Sequence, residues 1–443
     1  MFKLLNHAII FILVIYLCFL ILITFNITKF SFSNINYQVF QKNINPKKNV
    51  LLFIFGTRPE AIKMAPIIRE AQNLNNFSTV LVSTGQHKEM LHQALSVFNL
   101  TNSIDFSLDV MTKNQSLSIL TAKVLFHLDN IFRECHPMMT FVQGDTTTSF
   151  VGALASFYHK IPVAHIEAGL RTNNIYSPFP EEINRQIISN IALLNFAATN
   201  ISKNNLLKEG HNPNKIYITG NTVVDALHYV LSKFPLQTNV SSILSILTNY
   251  KIILLTAHRR ENLLGPINDI LRAVYFLLKQ YEDICFIYPI HLNPNVMEAI
   301  QKSLPFHIFT AKFVKKQHEI KGDFSFLNRL YFFDPFSYIS QIQIMNNSYL
   351  VMTDSGGIQE EAVSLGIPVL VLRDTTERPE GIYAGSAKLI GNNFNSIIMH
   401  VQKVLNDQKE YHKMAVPRNV YGDGTSSKQI IRIVNDFFAR PIA

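Results

Sequence analysis

From Asn49 onward the chain alternates between short apolar or β-branched runs and longer amphipathic stretches. Leu51–Phe55, Thr79–Ser83, Met139–Val142, Ile161–Ile166, Phe196–Thr199 and Lys215–Thr219 have strand length, and stretches such as Ala61–Leu74 and Leu117–Phe132 between them carry helical periodicity. Parallel neighbours are reached only by crossovers, so this alternation predicts an α/β fold: a doubly wound parallel sheet with helices on both faces. The pattern weakens over Lys233–Tyr250, where Pro, Gln, Asn and Ser collect. It resumes with Ile252–Thr256, Cys285–Pro289, Leu330–Phe333, Leu350–Thr353 and Val369–Leu372. At 443 residues, 48% hydrophobic and 16% charged, the chain has enough apolar content for two such domains. They are expected to face each other across a central cleft, with ligands at the carboxyl ends of the strands.

Ahead of this pattern lies Ala8–Phe25, an uncharged apolar run long enough to cross a bilayer core, with no small-x-small cleavage site after it. It reads as an uncleaved N-terminal transmembrane helix, a single-pass anchor, and 26–48, rich in Asn, Ser and Lys, as its tether. Lys29, Lys42, Lys47 and Lys48 follow the run and only Lys3 precedes it, which places the catalytic part on the cytoplasmic side.

The formal charge of +9 is spread thinly, with no basic stripe interleaved with aromatics, so nucleic acid is not an expected partner. Cys18, Cys135 and Cys285 are too few and too scattered for a disulfide framework or a Cys-rich metal site. No G-x-G-x-x-G follows a strand, since Gly422-Asp423-Gly424 comes after a turn-like PRNVY, and this argues against a bound nicotinamide. Walker loops, H-E-x-x-H and Cys/His ligand spacings are also missing, and neither metal nor cofactor is expected.

The chemistry gathers at strand ends. In YLVMTDSGGIQEE (349–361) an apolar run meets Gly356 and Gly357 at a helix start, where unpaired N–H groups and the dipole favour a phosphate. Glu361, one turn in, is placed to accept ribose hydroxyls. Similar anion-suited corners occur at Thr57-Arg58-Pro59-Glu60 and at Arg373–Glu380, and three of them point to a sugar nucleotide. Asp145 ends MTFVQGD, Glu167 ends IPVAHIE, and YSPFPEEINR brings Glu181, Glu182 and Arg185 to a helix start. His258, Arg259 and Arg260 end KIILLTAH, so positive charge faces the acids. This pairing suits proton movement at carbon while a phosphate leaves.

As a set, the motifs resemble the non-hydrolysing UDP-N-acetylglucosamine 2-epimerases. The likeness is carried by GTRPEAIKMAPII (56–68), TGQHKEML (84–91), QGDTTTS (143–149), HIEAGLRTNNIYSPFPEEINRQ (165–186), TGNTVVDAL (219–227), TAHRREN (256–262), YPIHLNPNV (288–296), TDSGGIQEEA (353–362), LRDTTERPEG (372–381) and YGDG (421–424). Ten blocks in order, from about residue 50 to the C-terminus, make it specific.

The resemblance implies a GT-B-like fold of two Rossmann-like domains. The expected division is 1–48 anchor and tether, 49–235 the N-terminal domain with the catalytic carboxylates, and 236–443 the UDP-binding domain, whose last helix is free to pack back on the first. It also implies reversible interconversion of UDP-GlcNAc and UDP-ManNAc by a homodimer, without a cofactor. By that route the C1–O bond breaks, UDP leaves, a carboxylate takes the now acidic C2 proton to give a glycal, and re-protonation on the other face precedes UDP return. Motif match gives the acid/base roles to Asp145, Glu167 and Glu181, with Arg185 nearby, and leaves open which carboxylate serves which face. Arg58, Lys63, His258, Ser355, Gly356, Gly357 and Arg378 would hold the diphosphate, and Glu361 the ribose. Gln86 and His291 match a second, activating UDP-GlcNAc site, where Glu89 replaces a glutamine often seen nearby.

Two departures stand out. In DPFSYISQIQ, Phe336 and Gln341 occupy positions where relatives can carry Gln and Phe, and the stretch from Gln301 to Asn328 is longer and more basic than the family pattern. The competing readings are a hydrolysing 2-epimerase that releases ManNAc, a GT-B glycosyltransferase, and a tethered UDP-sugar sensor.

Overall fold

The computed structural model describes residues 38–39, 49–85, 88–112, 115–257, 259, 262, 265–290, 296, 298, 300 and 328–439. Two sheets organise these residues. The first contains β1 (Gln38–Val39), β2 (Asn49–Phe55), β3 (Phe77–Ser83), β4 (Phe106–Ser107), β5 (Met139–Gln143), β6 (Val163–Ala168), β7 (Leu194–Ala197) and β8 (Ile216–Ile218), in the order β1-β4-β3-β2-β5-β6-β7-β8. Its pairings are parallel except at the edge, where β1 runs against β4.

The second sheet contains β9 (Lys251–Thr256), β10 (Ile284–Pro289), β11 (Leu330–Phe333), β12 (Leu350–Thr353), β13 (Val369–Val371) and β14 (Ala387–Leu389). It is parallel throughout, ordered β11-β10-β9-β12-β13-β14. Strand order reverses between β2 and β5 in one sheet and between β9 and β12 in the other. At such points successive crossovers lie on opposite faces, and a crevice opens beyond the strand ends.

Burial on both faces explains why the central strands read as unbroken apolar runs. Leu51, Phe53 and Phe55 enter one core cluster, beneath the helix Arg58–Gln72. Leu52 and Ile54 enter another, beneath the helix Leu117–Cys135. The helix Thr222–Lys233 joins the two halves, packing on Arg58–Gln72 from the first and on Gly356–Leu365 and Tyr338–Asn346 from the second. The last helix, Ser426–Ala439, returns to the first half and lies against Arg58–Gln72. Asp225 fixes its start, accepting from Ser427 N at 2.7 Å, Ser427 Oγ at 2.6 Å and Ser426 N at 3.2 Å.

Some boundaries differ from the sequence reading. The strand expected at Phe196–Thr199 is Leu194–Ala197, because Thr199 leaves the sheet to cap the next helix, its hydroxyl accepting from Ser202 N. β1, β4 and β14 were not anticipated, being only two or three residues long. Among the described residues no helix is long and apolar enough to cross a membrane. The run Ala8–Phe25 lies outside the described residues, as does nearly all of the basic stretch 301–328.

Candidate active site

Both switch points open on one polar interior. Glu167, near the end of β6, has left-handed backbone, φ 65°, at a register shift between Ile166 and Ala168. A bulge re-aims a side chain, and such a φ in a non-glycine residue costs on the order of 1–3 kcal/mol. The carboxylate so aimed accepts from Lys63 Nζ and Gln143 Nε2 on one oxygen, and from Arg378 Nη2 at 2.7 Å on the other. Burial by itself would raise its pKa, but Lys63 and Arg378 outweigh burial and hold Glu167 below the ordinary carboxylate range.

Arg378 lies in the loop after β13 and is buried. Its Nη1 donates to Glu377 Oε1, and its Nε lies 2.9 Å from Glu360 Oε1. Burial opposes its charge, yet Glu360, Glu377 and Glu167 keep the guanidinium firmly protonated. Glu377 has further cations around it: Arg373 Nη1 donates to it at 2.9 Å, and Arg259 Nη2 lies 3.6 Å away.

The two glycines at the start of Gly356–Leu365 do different work. A Cβ on Gly356 would stand 2.4 Å from Arg378 Nη1, so this glycine makes room for an arginine of the fold. A Cβ on Gly357 would meet nothing within 4 Å, which leaves that N–H corner open to a ligand. Ser355 is the N-cap and makes no side-chain capping bond.

Asp145 follows β5 and binds a different cation. Its Oδ2 accepts from Arg185 Nε at 2.8 Å and stands 2.6 Å from Nη2. Arg185 is aimed by Glu182, which accepts its Nη1 at 2.8 Å and the backbone N–H groups of Thr172 and Asn173 at 3.0 Å. Glu181 opens this helix. Burial raises its carboxyl above the ordinary range, and the nearby Asp145 charge pushes the same way. Its Oε2 is buried with no hydrogen-bond partner among the described residues.

Arg58 and Glu361 form the third corner. Arg58 Nη2 donates to the Phe336 carbonyl at 3.1 Å, and Glu361 accepts from Tyr338 OH at 3.0 Å. Burial pushes Glu361 up to about 7. Gln341 Nε2, on the same helix as Tyr338, is buried without a partner among the described residues. Across the cleft Glu60 ties two turns together: it accepts from Gly56 N at 3.0 Å and Thr57 N at 2.7 Å after β2, and from Thr146 Oγ1 at 2.6 Å and Ser149 Oγ at 2.9 Å after β5.

Glu167 thus joins Lys63 to Arg378, which lies against Gly356, and Asp145 and Arg185 form a second group beside them. His258, Gln86 and His291 lie outside the described residues. Sequence reasoning did not single out Gln143, Glu360, Glu377 or Tyr338. The only signal for Glu360 and Glu377 was an acidic residue next to a chosen one, in QEE and TERPE.

Residues 69–435 match the family model described as UDP-N-acetylglucosamine 2-epimerase. This chain belongs to that family. The Bacillus subtilis UDP-N-acetylglucosamine 2-epimerase is 43% identical over 385 residues, which cover 87% of this chain and 94% of the relative. The Campylobacter jejuni enzyme is likewise 43% identical, over 392 residues, 87% of this chain and 97% of the relative. Among solved structures, UDP-GlcNAc 2-epimerase from Neisseria meningitidis bound to UDP-GlcNAc superposes with a TM-score of 0.79 at 42% identity, covering 88% of this chain and 100% of that one. The Methanocaldococcus jannaschii epimerase, in complex with UDP-GlcNAc and UDP, gives 0.71 at 31% identity over 88% and 99%. The two-sheet, GT-B-like architecture of this epimerase-family chain is the one these structures share.

Proposed function

We propose that this chain interconverts UDP-GlcNAc and UDP-ManNAc by eliminating and re-adding UDP through a glycal. The observation that carries the reading is the contrast between two carboxyl groups in one interior: Glu167 held ionised by Lys63 and Arg378, Glu181 raised by burial. Groups whose surroundings push their pKa values apart suit opposite proton roles. In this reading the electron pair of the breaking C1–O bond leaves with UDP. Glu167 takes the C2 proton as the C1–C2 double bond forms, and Glu181 delivers a proton to the other face before UDP adds back. Asp145, paired with Arg185, stands beside Glu181 and resists its ionisation. Lys63, Arg58 and Arg378, with Ser355 and the open N–H corner at Gly357, take up the charge of the departing diphosphate. Glu361 accepts the ribose hydroxyls once Tyr338 yields.

Two further elements of the reading come from the sequence: a single-pass anchor at Ala8–Phe25 with the catalytic part on the cytoplasmic side, and a homodimer. Extraction of the full-length chain from membranes by alkaline carbonate would discard the anchor, and a monomeric mass in light scattering would discard the dimer.

The reaction is tested by proton and phosphorus NMR of UDP-GlcNAc with the full-length chain in D₂O. UDP-ManNAc carrying deuterium at C2 is the expected product. Free ManNAc with UDP would replace this reading by the hydrolysing one, and transfer of the sugar to an acceptor by the transferase one. An unchanged, unlabelled substrate would leave only a binding role.

A further inference from the structure

Four buried charges close a ring where the two halves meet, Lys63 and Glu167 from the first and Glu360 and Arg378 from the second. Around it, Arg378 Nη2 is 2.7 Å from Glu167 Oε1, Arg378 Nε is 2.9 Å from Glu360 Oε1, Glu360 Oε2 is 3.9 Å from Lys63 Nζ, and Lys63 returns to Glu167. Signs alternate, and the ring is neutral. In the proposed reaction three members have roles, Glu167 at the sugar and Lys63 and Arg378 at the diphosphate. Glu360 has none.

Its surroundings are odd for a merely structural carboxylate. Asn221 Nδ2 donates to Oε1 at 3.0 Å, but Oε2 is fully buried and accepts no hydrogen bond from the described residues. Buried carboxylates kept for stability have their oxygens satisfied, since desolvation is costly otherwise. Oε2 instead faces the Lys63 ammonium from just beyond bonding range. Burial holds the Glu360 carboxyl above the ordinary range, with Arg378 and Lys63 drawing it down part of the way.

We propose that Glu360 is a positioning residue that offsets half of the Lys63 and Arg378 charge, so that these cations orient Glu167 without over-retaining the nucleotide diphosphate. The inference rests on the proposed epimerase reading. With Glu360 uncharged, Lys63 and Arg378 would be left with Glu167 and with Glu377, which Arg373 and Arg259 already claim. The excess charge would grip a diphosphate more tightly and draw Glu167 further toward the cations, away from a proton on carbon.

Glu360→Gln keeps the shape and the oxygen that Asn221 contacts, and removes the charge. In the full-length protein, the Kd for UDP by titration calorimetry should fall about three- to tenfold while kcat for UDP-GlcNAc falls about tenfold or more. A purely structural residue would weaken both, so unchanged or weaker UDP binding overturns the proposal. If that variant does not fold, Glu360→Asp decides: it keeps the charge but shortens the reach, so UDP affinity should stay within about twofold while kcat drops about tenfold, and a wild-type kcat overturns the proposal. A wild-type protein that binds UDP but does not epimerise UDP-GlcNAc ends the proposed reaction and leaves the UDP comparison to decide Glu360. Epimerisation by the wild type, with unaltered UDP affinity in Glu360→Gln, ends the Glu360 role alone.

Discussion

Arg378 Nη2 stands 2.7 Å from Glu167 Oε1, joining residues 211 apart in sequence, one in β6 of the first sheet and the other in the loop after β13 of the second. The contact puts a candidate base and a candidate diphosphate ligand in direct touch across the domain junction. In the proposed reaction an incoming diphosphate competes for Arg378, and as it does the grip on Glu167 loosens, which would link substrate binding and base activation through one guanidinium.

Replacing the acids tests their proton roles. Glu167→Gln, Asp145→Asn and Glu181→Gln should each lower kcat by about 10²-fold or more, the usual worth of a positioned general acid or base. UDP binding by calorimetry should survive in all three, because none of these side chains is a proposed phosphate ligand. Near-normal turnover in all three would remove the mechanism.

Gly356 and Gly357 separate two reasons for a glycine. Gly356→Ala places a methyl 2.4 Å from Arg378 Nη1, so the guanidinium must move off Glu167. We expect KM for UDP-GlcNAc to rise about tenfold, together with a loss of kcat. Gly357→Ala meets nothing within 4 Å and should fold at least as stably as wild type, gaining up to about 1 kcal/mol from helix propensity. If a phosphate packs on that N–H corner, UDP affinity still falls in Gly357→Ala, and steady-state kinetics beside urea denaturation would resolve the two effects.

The pair shows where sequence reading succeeds and where it stops. The strand LLFIF was legible because burial on both faces leaves an unbroken apolar run, and the site loops were legible because their glycines and acids sit at strand ends. Asp145 and Glu167 could be singled out from their places at strand ends, and Lys63 only through the family resemblance. That Gly356 serves Arg378 could not, since the contact depends on the path of the loop after β13. Neighbouring helical residues point about 100° apart, so choosing Glu361 for the ligand said nothing of where Glu360 would face. The short edge strands carry too few residues for any periodicity.

Glu182 is fully buried beneath Arg185, and its loss should cost stability as well as rate. Glu182→Ala leaves the buried Arg185 short of a counterion and strips the acceptor from the Thr172 and Asn173 N–H groups. Removing one partner of a buried pair typically costs about 3–5 kcal/mol. Urea unfolding should show a loss of this size, and kcat should fall as Arg185 releases Asp145. A change under about 1 kcal/mol would mean that Arg185 finds another acceptor.

Glu361 gives a pH dependence whose sign follows from its surroundings. Burial lifts its carboxyl from 4.5 to about 7, so the folded protein holds a proton that the unfolded chain has already released. Stability from this group is complete below 4.5 and is lost as pH rises through about 7, by about 3–4 kcal/mol in total. Glu361→Gln has no proton to lose there. Relative to wild type, its unfolding free energy should therefore climb between pH 5 and pH 8 and level off above. The ligand reverses the preference, because ribose hydroxyls donate best to the ionised carboxylate. KM for UDP-GlcNAc, whose diphosphate diester does not titrate in this range, should thus fall from pH 6 to pH 8 in wild type and stay flat in Glu361→Gln. Parallel pH profiles for the two proteins would show that Glu361 does not meet the ribose.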